Sequence, residues 1–160
     1  MSKSNTYKAG KHFLQVPGPT NIPDRILRAI DAPAIDHRGP KFQDLSKRIL
    51  ERIKLIFKST DPVVIYPSAG TGAMEASLVN TLSEGDKILM YETGEFARQW
   101  YEAAERFKIN VDFVPGDWRT GADPEITRQK LLADKKHEIK AVLVTHNETS
   151  TGIKSRVEEI

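Results

Sequence analysis

Hydrophobic positions recur along the chain in two rhythms, one typical of helices and one of strands. Over residues 41–57, apolar residues return at steps of three and four, with charged residues between them, so the apolar ones share one helical face. They are Phe42, Leu45, Ile49, Ile53 and Ile56. This pattern predicts a helix over 41–57, which Thr60-Asp61-Pro62 ends, and a shorter helix is expected over 24–30.

Four short β-branched or aliphatic runs predict strands, at 63–66, 87–91, 111–114 and 141–144. Helical patterns lie between them at 73–82, at 96–107 and from Asp123, where an N-capping Asp precedes Pro124 at the first helical position. Another helix is expected to begin at Val157. Strands that alternate with helices predict an α/β fold with a mainly parallel sheet covered by helices.

Composition excludes several classes of function. The net charge of +2 is too small for a nucleic-acid-binding face, and the absence of cysteine excludes disulfides, thiolate metal sites and cysteine nucleophiles. No apolar run approaches the ~18 residues of a membrane span, and the first twelve residues lack the apolar stretch of a secretory signal. We therefore expect a cytoplasmic protein with no nucleic-acid partner, no membrane partner and no metal site.

A glycine loop follows the first predicted strand and precedes a predicted helix. In Ser68-Ala69-Gly70-Thr71-Gly72 the glycines allow close approach of the backbone to a ligand, and the helix start offers unpaired N–H groups to an anion. A phosphate site is one interpretation, and a simple tight turn is the other. No lysine follows the glycines, which argues against a nucleoside triphosphatase loop.

A dinucleotide-binding oxidoreductase is an alternative. Gly70 and Gly72 begin the required glycine pattern, and Glu92 lies twenty residues beyond Gly72, where a ribose-binding acid is expected. Against it, Glu75 occupies the third glycine position, where a charged side chain would spoil helix–strand packing and repel a pyrophosphate.

Four motifs in this order resemble one family, the class V aminotransferases of fold type I, in the serine–glyoxylate and alanine–glyoxylate branch. They are Val16-Pro-Gly-Pro-Thr-Asn-Ile-Pro23, Asp36-His-Arg-Gly-Pro-Lys-Phe42, Ser68-Ala-Gly-Thr-Gly-Ala-Met-Glu-Ala76 and Thr145-His-Asn-Glu-Thr-Ser-Thr-Gly152. The resemblance implies a three-layer α/β large domain. It implies an N-terminal arm over 1–22 and, over 23–160, the first part of that large domain, with its remainder and a C-terminal small domain absent.

The resemblance also implies a cofactor, pyridoxal 5′-phosphate (PLP), and places residues around it. Ala69, Gly70 and Thr71 match the loop that binds the PLP phosphate. Phe96 matches the aromatic residue that stacks on the pyridine ring, and Thr149 matches the hydroxyl near the ring's phenolic oxygen. A sixth residue, Gly18, matches a turn beside the substrate. Without the family, Phe96 fits core packing equally well, and Thr149 fits a turn.

In the family, the lysine that binds PLP, the acid at the ring nitrogen and the substrate-binding arginine follow the stretch that matches Thr149. Lys87, Lys140 and Lys154 are unsuitable substitutes, so we expect no catalytic residue in this segment and no turnover by it alone. The implied parent is a homodimer that transfers an amino group from serine, alanine or aspartate to glyoxylate or pyruvate. A non-catalytic PLP-binding fragment, and a desulfurase or lyase on the same fold, remain alternatives.

Overall fold

A computed structural model describes residue 10 and residues 13–160, and the chain divides into two compact units. The first unit ends at Ile65, and the second spans Tyr66–Ile160. The resemblance instead suggests an arm over 1–22 and a domain over 23–160, and this division stays a prediction.

The first unit contains two helices, α1 (Asp24–Ile30) and α2 (Pro40–Phe57). Helix α2 begins with Pro40 at its first position, where the missing N–H costs nothing, and it ends at Lys58 in the left-handed region with φ of 50°. Both predicted helices are confirmed. No residue of either helix is buried among the described residues, so the apolar face of α2 is present but uncovered there.

The second unit is built around a parallel sheet of three strands. They are β1 (Lys87–Tyr91), β2 (Asn110–Val114) and β3 (Ile139–Leu143), in the order β2-β1-β3. Central β1 is almost entirely buried, as expected of a strand that is covered on both faces. Three of the four predicted strands are confirmed.

The predicted strand at 63–66 is wrong. These residues take no strand conformation, and Val64 is 77% exposed. A β-branched run becomes a strand only when its backbone groups pair with a neighbour, and no described strand pairs with this one. Residue type alone could not supply that information.

Three helices cover the sheet: α3 (Gly70–Thr81), α4 (Glu95–Arg106) and α5 (Pro124–Ala133). Helices α4 and α5 start near their predicted positions, and the Asp123 carboxylate caps α5 by accepting from the Glu125 N–H at 2.8 Å. Helix α3 starts at Gly70 rather than at residue 73. The glycines expected in a loop therefore form the first turn of the helix.

The side chains of β1 alternate between two apolar layers. Ile88 and Met90 belong to a cluster with Leu78 of α3 and Ala104 of α4. Leu89 and Tyr91 face the opposite way, in a cluster with Ala122, and Ile126 of α5 packs against that cluster. The Tyr91 hydroxyl also hydrogen-bonds the Thr127 hydroxyl of α5. Helices thus lie on both faces of the sheet, and the three-layer α/β fold is confirmed.

The segment after β3 is more ordered than its polar sequence suggests. Two short antiparallel strands, β4 (Asn147–Glu148) and β5 (Ile153–Lys154), form a hairpin that the sequence analysis did not predict. The helix expected from Val157 is wrong, since residues 157–159 form turns. Within residue 10 and residues 13–160, no helix is both long and apolar enough to cross a membrane.

We expect Leu78→Ala to lower the free energy of unfolding by about 2–5 kcal/mol, because Leu78 is fully buried and its truncation leaves a cavity. The matched control is Leu132→Ala on α5, which should cost less than about 1 kcal/mol because Leu132 is 54% exposed. Denaturant unfolding measures both. Equal losses would contradict the assignment of Leu78 to the core.

Candidate functional site

Two segments that follow strands meet at the carboxyl edge of the sheet. Residues 92–96 follow β1, and residues 146–152 follow β3. A third segment, the start of α3, is tied to α4 by the indole N–H of Trp100, which donates to the Met74 carbonyl at 3.2 Å. Met74 and Trp100 lie in the second turns of their helices, so the bond links the N-terminal halves of α3 and α4.

The N-terminus of α3 is open to a ligand. Ala69 occupies the N-cap position and no side chain caps the helix. The Gly72 N–H donates to the Ala69 carbonyl at 3.0 Å, but the N–H groups of Gly70 and Thr71 donate to no described residue. Both residues are exposed, and a Cβ added at Gly70 would meet nothing within 4 Å. Such an end carries the positive pole of the helix dipole and suits an anion.

The shape of this turn depends on Gly72. A Cβ at this position would lie 1.8 Å from Ser68 Oγ, so only glycine allows the Ser68 side chain to fold over the helix start. The Tyr66 hydroxyl donates to the Gly72 carbonyl at 2.9 Å. This bond joins the segment before the helix to its first turn.

The N-terminus of α4, in contrast, is already occupied by a carboxylate. Glu148 accepts from the Ala97 N–H at 3.0 Å and from the Phe96 N–H at 3.4 Å, while Ser150 Oγ accepts from the Glu95 N–H at 2.9 Å. Only 1% of Glu148 is exposed. The cap therefore comes from a residue more than fifty positions away, and it joins the loop after β3 to the helix after β1.

Gly94 makes room for this carboxylate. A Cβ on Gly94 would lie 2.5 Å from Glu148 Cγ and 2.6 Å from Ser150 Oγ. No real Cβ approaches other atoms so closely, so the residue before α4 must be glycine if Glu148 is to reach the helix.

The charge state of Glu148 follows from these bonds. Burial raises the pKa of the Glu148 carboxyl, but hydrogen bonds from the Ser150 hydroxyl and from the N–H groups of Ser150, Ala97 and Phe96 outweigh burial, so the pKa lies below its ordinary 4.5. The side chain is a carboxylate at neutral pH, where its charge complements the helix dipole.

The cap links the first turn of α4, where Phe96 lies, to the loop that contains Thr149. Phe96 is half-buried in the first turn of α4, and its N–H is bonded to the carboxylate of Glu148, the residue directly before Thr149. Thr149 is exposed, and its hydroxyl makes no hydrogen bond to a described residue. It is therefore available to a ligand at this edge.

Gly18 belongs to the first unit, whereas the other predicted site residues belong to the second. It is exposed, and a Cβ there would meet nothing within 4 Å. Its role beside a substrate stays a prediction from the resemblance.

The sequence analysis did not single out Glu148, Ser150 or Gly94. One signal was available: α4 begins after Gly94 with no Ser, Thr, Asp or Asn in the cap position, so a cap from elsewhere in the chain was to be expected. Which residue supplies it could not be known without the fold. The Thr93 hydroxyl was not recognised either. It is buried, and it has no hydrogen-bond partner among the described residues.

Glu92 is not placed to bind a ribose. Its carboxylate accepts from the Trp118 indole N–H at 3.0 Å and from the Gly116 N–H at 3.3 Å. Because the segment before Gly70 is no strand, the strand–glycine–helix unit of a dinucleotide site is missing too. Both observations count against the oxidoreductase alternative.

Comparisons with known proteins show the family of this chain. The family model described as aminotransferase class-V matches residues 12–160. The chain belongs to the class V aminotransferase family.

Among its relatives, a serine–glyoxylate aminotransferase from Methylorubrum extorquens is 45% identical over 153 residues, which are 95% of this chain and 38% of the relative. An L-aspartate–glyoxylate aminotransferase from Paracoccus denitrificans is 44% identical, over 89% of this chain and 36% of that protein. The crystal structure of an alanine–glyoxylate aminotransferase from Nostoc sp. superposes with a TM-score of 0.78 at 25% identity, over 96% of this chain and 40% of the other. The chain thus spans less than half the length of these relatives.

Family membership confirms the resemblance drawn from the four motifs. The structure also shows where the three lysines considered above lie. Lys87 begins β1 and Lys140 lies near the start of β3, so both lie at the amino edge of the sheet, opposite the candidate site. Lys154 lies in the short strand β5. Among the described residues no cluster of His, Asp or Glu side chains could hold a metal ion.

We expect Gly94→Ala to lower the free energy of unfolding by about 1–3 kcal/mol, because its methyl group would collide with Glu148 and Ser150. Gly70→Ala is the control and should stay within about 1 kcal/mol of the unsubstituted chain, since open space faces that position. Thermal or denaturant unfolding decides between them. Equal effects would mean that Gly94 does not contact the capping carboxylate.

The Glu148 carboxyl predicts a pH dependence of stability. Its pKa is lower in the folded chain than in the unfolded one, so its contribution is fully present above pH 4.5 and is lost as the pH falls through the lower folded value. Glu148→Gln should remove that part of the pH dependence. Unfolding free energies measured from neutral pH to below pH 4.5 test this, and identical pH profiles for the two proteins would contradict it.

Proposed function

We propose that the natural polypeptide carrying this sequence is a PLP-dependent aminotransferase. It would move an amino group from a small amino acid, such as serine, alanine or aspartate, to a 2-oxo acid, such as glyoxylate or pyruvate. Membership of the class V family supports the reaction, and relatives named serine–glyoxylate and L-aspartate–glyoxylate aminotransferase support the choice of substrates. The chain contributes the first part of the cofactor site.

One observation carries the assignment of the cofactor: the contrast between the starts of α3 and α4. The start of α4 is filled by the buried Glu148 carboxylate, whereas the start of α3 has no cap and has two N–H groups without a described acceptor. A phosphate is repelled by the first and attracted by the second. The N-terminus of α3 is therefore the better of the two for the PLP phosphate.

The residues present fit that phosphate. Gly70 and Thr71 would donate backbone N–H groups, the Thr71 hydroxyl would add a donor, and the absent side chain of Gly70 leaves open space before the helix. Ala69, at the N-cap, completes the turn. Hydrogen bonds to a charged phosphate are worth more than those between neutral groups, so this short turn can anchor the cofactor.

Phe96 and Thr149 fit the cofactor ring. A half-buried phenyl group offers a flat apolar face for stacking, and the exposed Thr149 hydroxyl can donate to an oxygen of the ring. The Phe96 N–H donates to Glu148, which directly precedes Thr149, so this bond connects the two ring-contact residues. Phe96 thereby serves as a ring contact in this proposal rather than as a core residue.

PLP, when bound, supplies a carbonyl that takes up the amino group and a ring that withdraws electrons from the bonds being broken. In this chain, the α3 turn would bind the phosphate, and Phe96 and Thr149 would orient the ring. We assign no proton transfer to any residue of this segment. Substrate contact by Gly18, assembly as a homodimer and a cytoplasmic location stay predictions.

We expect Thr71→Val to weaken PLP binding by about tenfold, because the substitution keeps the size of the side chain and removes one hydrogen bond to a charged group. Binding of pyridoxal, which has no phosphate, should not change. Absorbance titration of the longest natural polypeptide that contains these residues measures both constants. Thr81→Val at the other end of α3 is the matched control and should leave both unchanged.

Amino transfer itself is tested in the same preparation, with serine, alanine or aspartate as donor and glyoxylate or pyruvate as acceptor. Formation of glycine from glyoxylate, or of alanine from pyruvate, with PLP supports the proposal. PLP binding without amino transfer by any pair would leave a PLP-binding protein of another activity, and absence of PLP binding would refute the cofactor assignment.

A further inference from the structure

We propose that Glu148 is a positioning residue: its carboxylate locks the loop over residues 146–152 onto the first turn of α4 and so sets the distance between Phe96 and Thr149. This inference rests on the proposed function, in which those two residues contact the cofactor ring. Glu148 itself is buried and needs no contact with the cofactor.

The contacts of Glu148 come from both of the segments that it joins. On one side are the N–H groups of Phe96 (3.4 Å) and Ala97 (3.0 Å) in α4. On the other side are the N–H group (3.1 Å) and hydroxyl (2.8 Å) of Ser150, in the loop. The same hydroxyl accepts from the Glu95 N–H, so a second connection runs beside the first. Four donors thus converge on one buried acid.

Glu148 is linked to both ring-contact residues, so its position affects their spacing. Phe96 is bonded to it through its own N–H, and Thr149 is its covalent neighbour. A shift of the carboxylate would therefore move one residue relative to the other. Displacements of well under an ångström matter where an aromatic ring must stack and a hydroxyl must meet a ring oxygen.

Other contacts hold the ends of the loop, so the loss of Glu148 need not detach it. Ser155 donates its N–H to the His146 carbonyl at 2.8 Å and its hydroxyl to the Thr145 carbonyl at 3.0 Å. The Thr151 hydroxyl donates to the Thr93 carbonyl at 3.2 Å. Without the carboxylate the loop should stay attached while its middle, around Thr149, moves.

Only a carboxylate suits all of these donors. It presents acceptors on both oxygens, whereas the amide of glutamine replaces one oxygen with an NH₂ group that would point at N–H donors. Oε1 accepts from Phe96 and from both Ser150 donors, and Oε2 accepts from Ala97. Glu148→Gln therefore keeps the size of the side chain but removes its charge and at least one of these bonds. It is therefore a test of position rather than of packing.

Three quantities should be compared for Glu148→Gln in the longest natural polypeptide that contains this sequence. They are the dissociation constant of PLP, the inhibition constant of inorganic phosphate as a competitor of PLP, and the dichroic band of bound PLP, which reports ring orientation. We expect PLP affinity to fall by about tenfold or more and the band to change, while the phosphate constant changes by less than about twofold, because the α3 turn is untouched.

The matched control is Glu138→Gln, the same substitution on an exposed residue directly before β3, at the opposite edge of the sheet. It should leave all three quantities unchanged. Ser150→Ala is the second variant, in case Glu148→Gln fails to fold; it removes one donor to the carboxylate and should shift the PLP constant and band in the same direction by a smaller factor.

The outcomes distinguish a failure of the positioning role from a failure of the proposed function. If the unsubstituted protein binds PLP but Glu148→Gln and Ser150→Ala match it in all three quantities, the positioning role is refuted and the proposed function stands. If the PLP and phosphate constants weaken by the same factor, Glu148 is only structural and the inference is again refuted. If the unsubstituted protein does not bind PLP, the proposed function falls and the inference falls with it.

Discussion

The second unit depends on one interaction across the carboxyl edge of its sheet, the buried carboxylate of Glu148 at the N-terminus of α4. An uncompensated charge at that depth would be strongly destabilising, but four hydrogen-bond donors and the helix dipole stabilise it. The bond pattern links the connection after β1 to the connection after β3. Strand β1 is held between β2 and β3, and the cap holds the segment that follows it. Together they position the side chains at this edge of the sheet.

The same interaction explains why the two helix starts differ in function. Each helix end offers unpaired N–H groups, and each could attract an anion. The protein's own carboxylate satisfies α4, whereas α3 has glycines, a threonine and no cap. The anion site proposed at the start of α3 therefore depends on the occupied start of α4 as well as on the open start of α3.

Most of the fold could be predicted from the sequence because its signals are local. The stripe of Leu45 and Ile49 predicts α2, and Asp123-Pro124 predicts the start of α5, since capping and periodicity act within a few residues. The errors lie where the local sequence signal is misleading or weak. The run at 63–66 has the composition of a strand, but no described strand pairs with it. The hairpin of β4 and β5 is made of mostly polar residues, whose sequence carries no strand pattern.

The candidate site shows the same division. Gly70 and Thr71 were predicted because glycines at a helix start can admit an anion, and Phe96 and Thr149 were predicted from the resemblance to the family. Glu148 could not be found in this way, because its role depends on a cap more than fifty residues distant. The clash that a side chain at Gly94 would cause is likewise a property of two segments that meet only in the folded chain.

Amide hydrogen exchange, read residue by residue with and without PLP, tests this account most directly. It predicts that the Phe96 and Ala97 amides are protected in both states, because Glu148 accepts from them, whereas the Gly70 and Thr71 amides exchange rapidly until PLP is added and then become protected. Rapid exchange at Phe96 and Ala97, or no change at Gly70 and Thr71 when PLP binds, would contradict it.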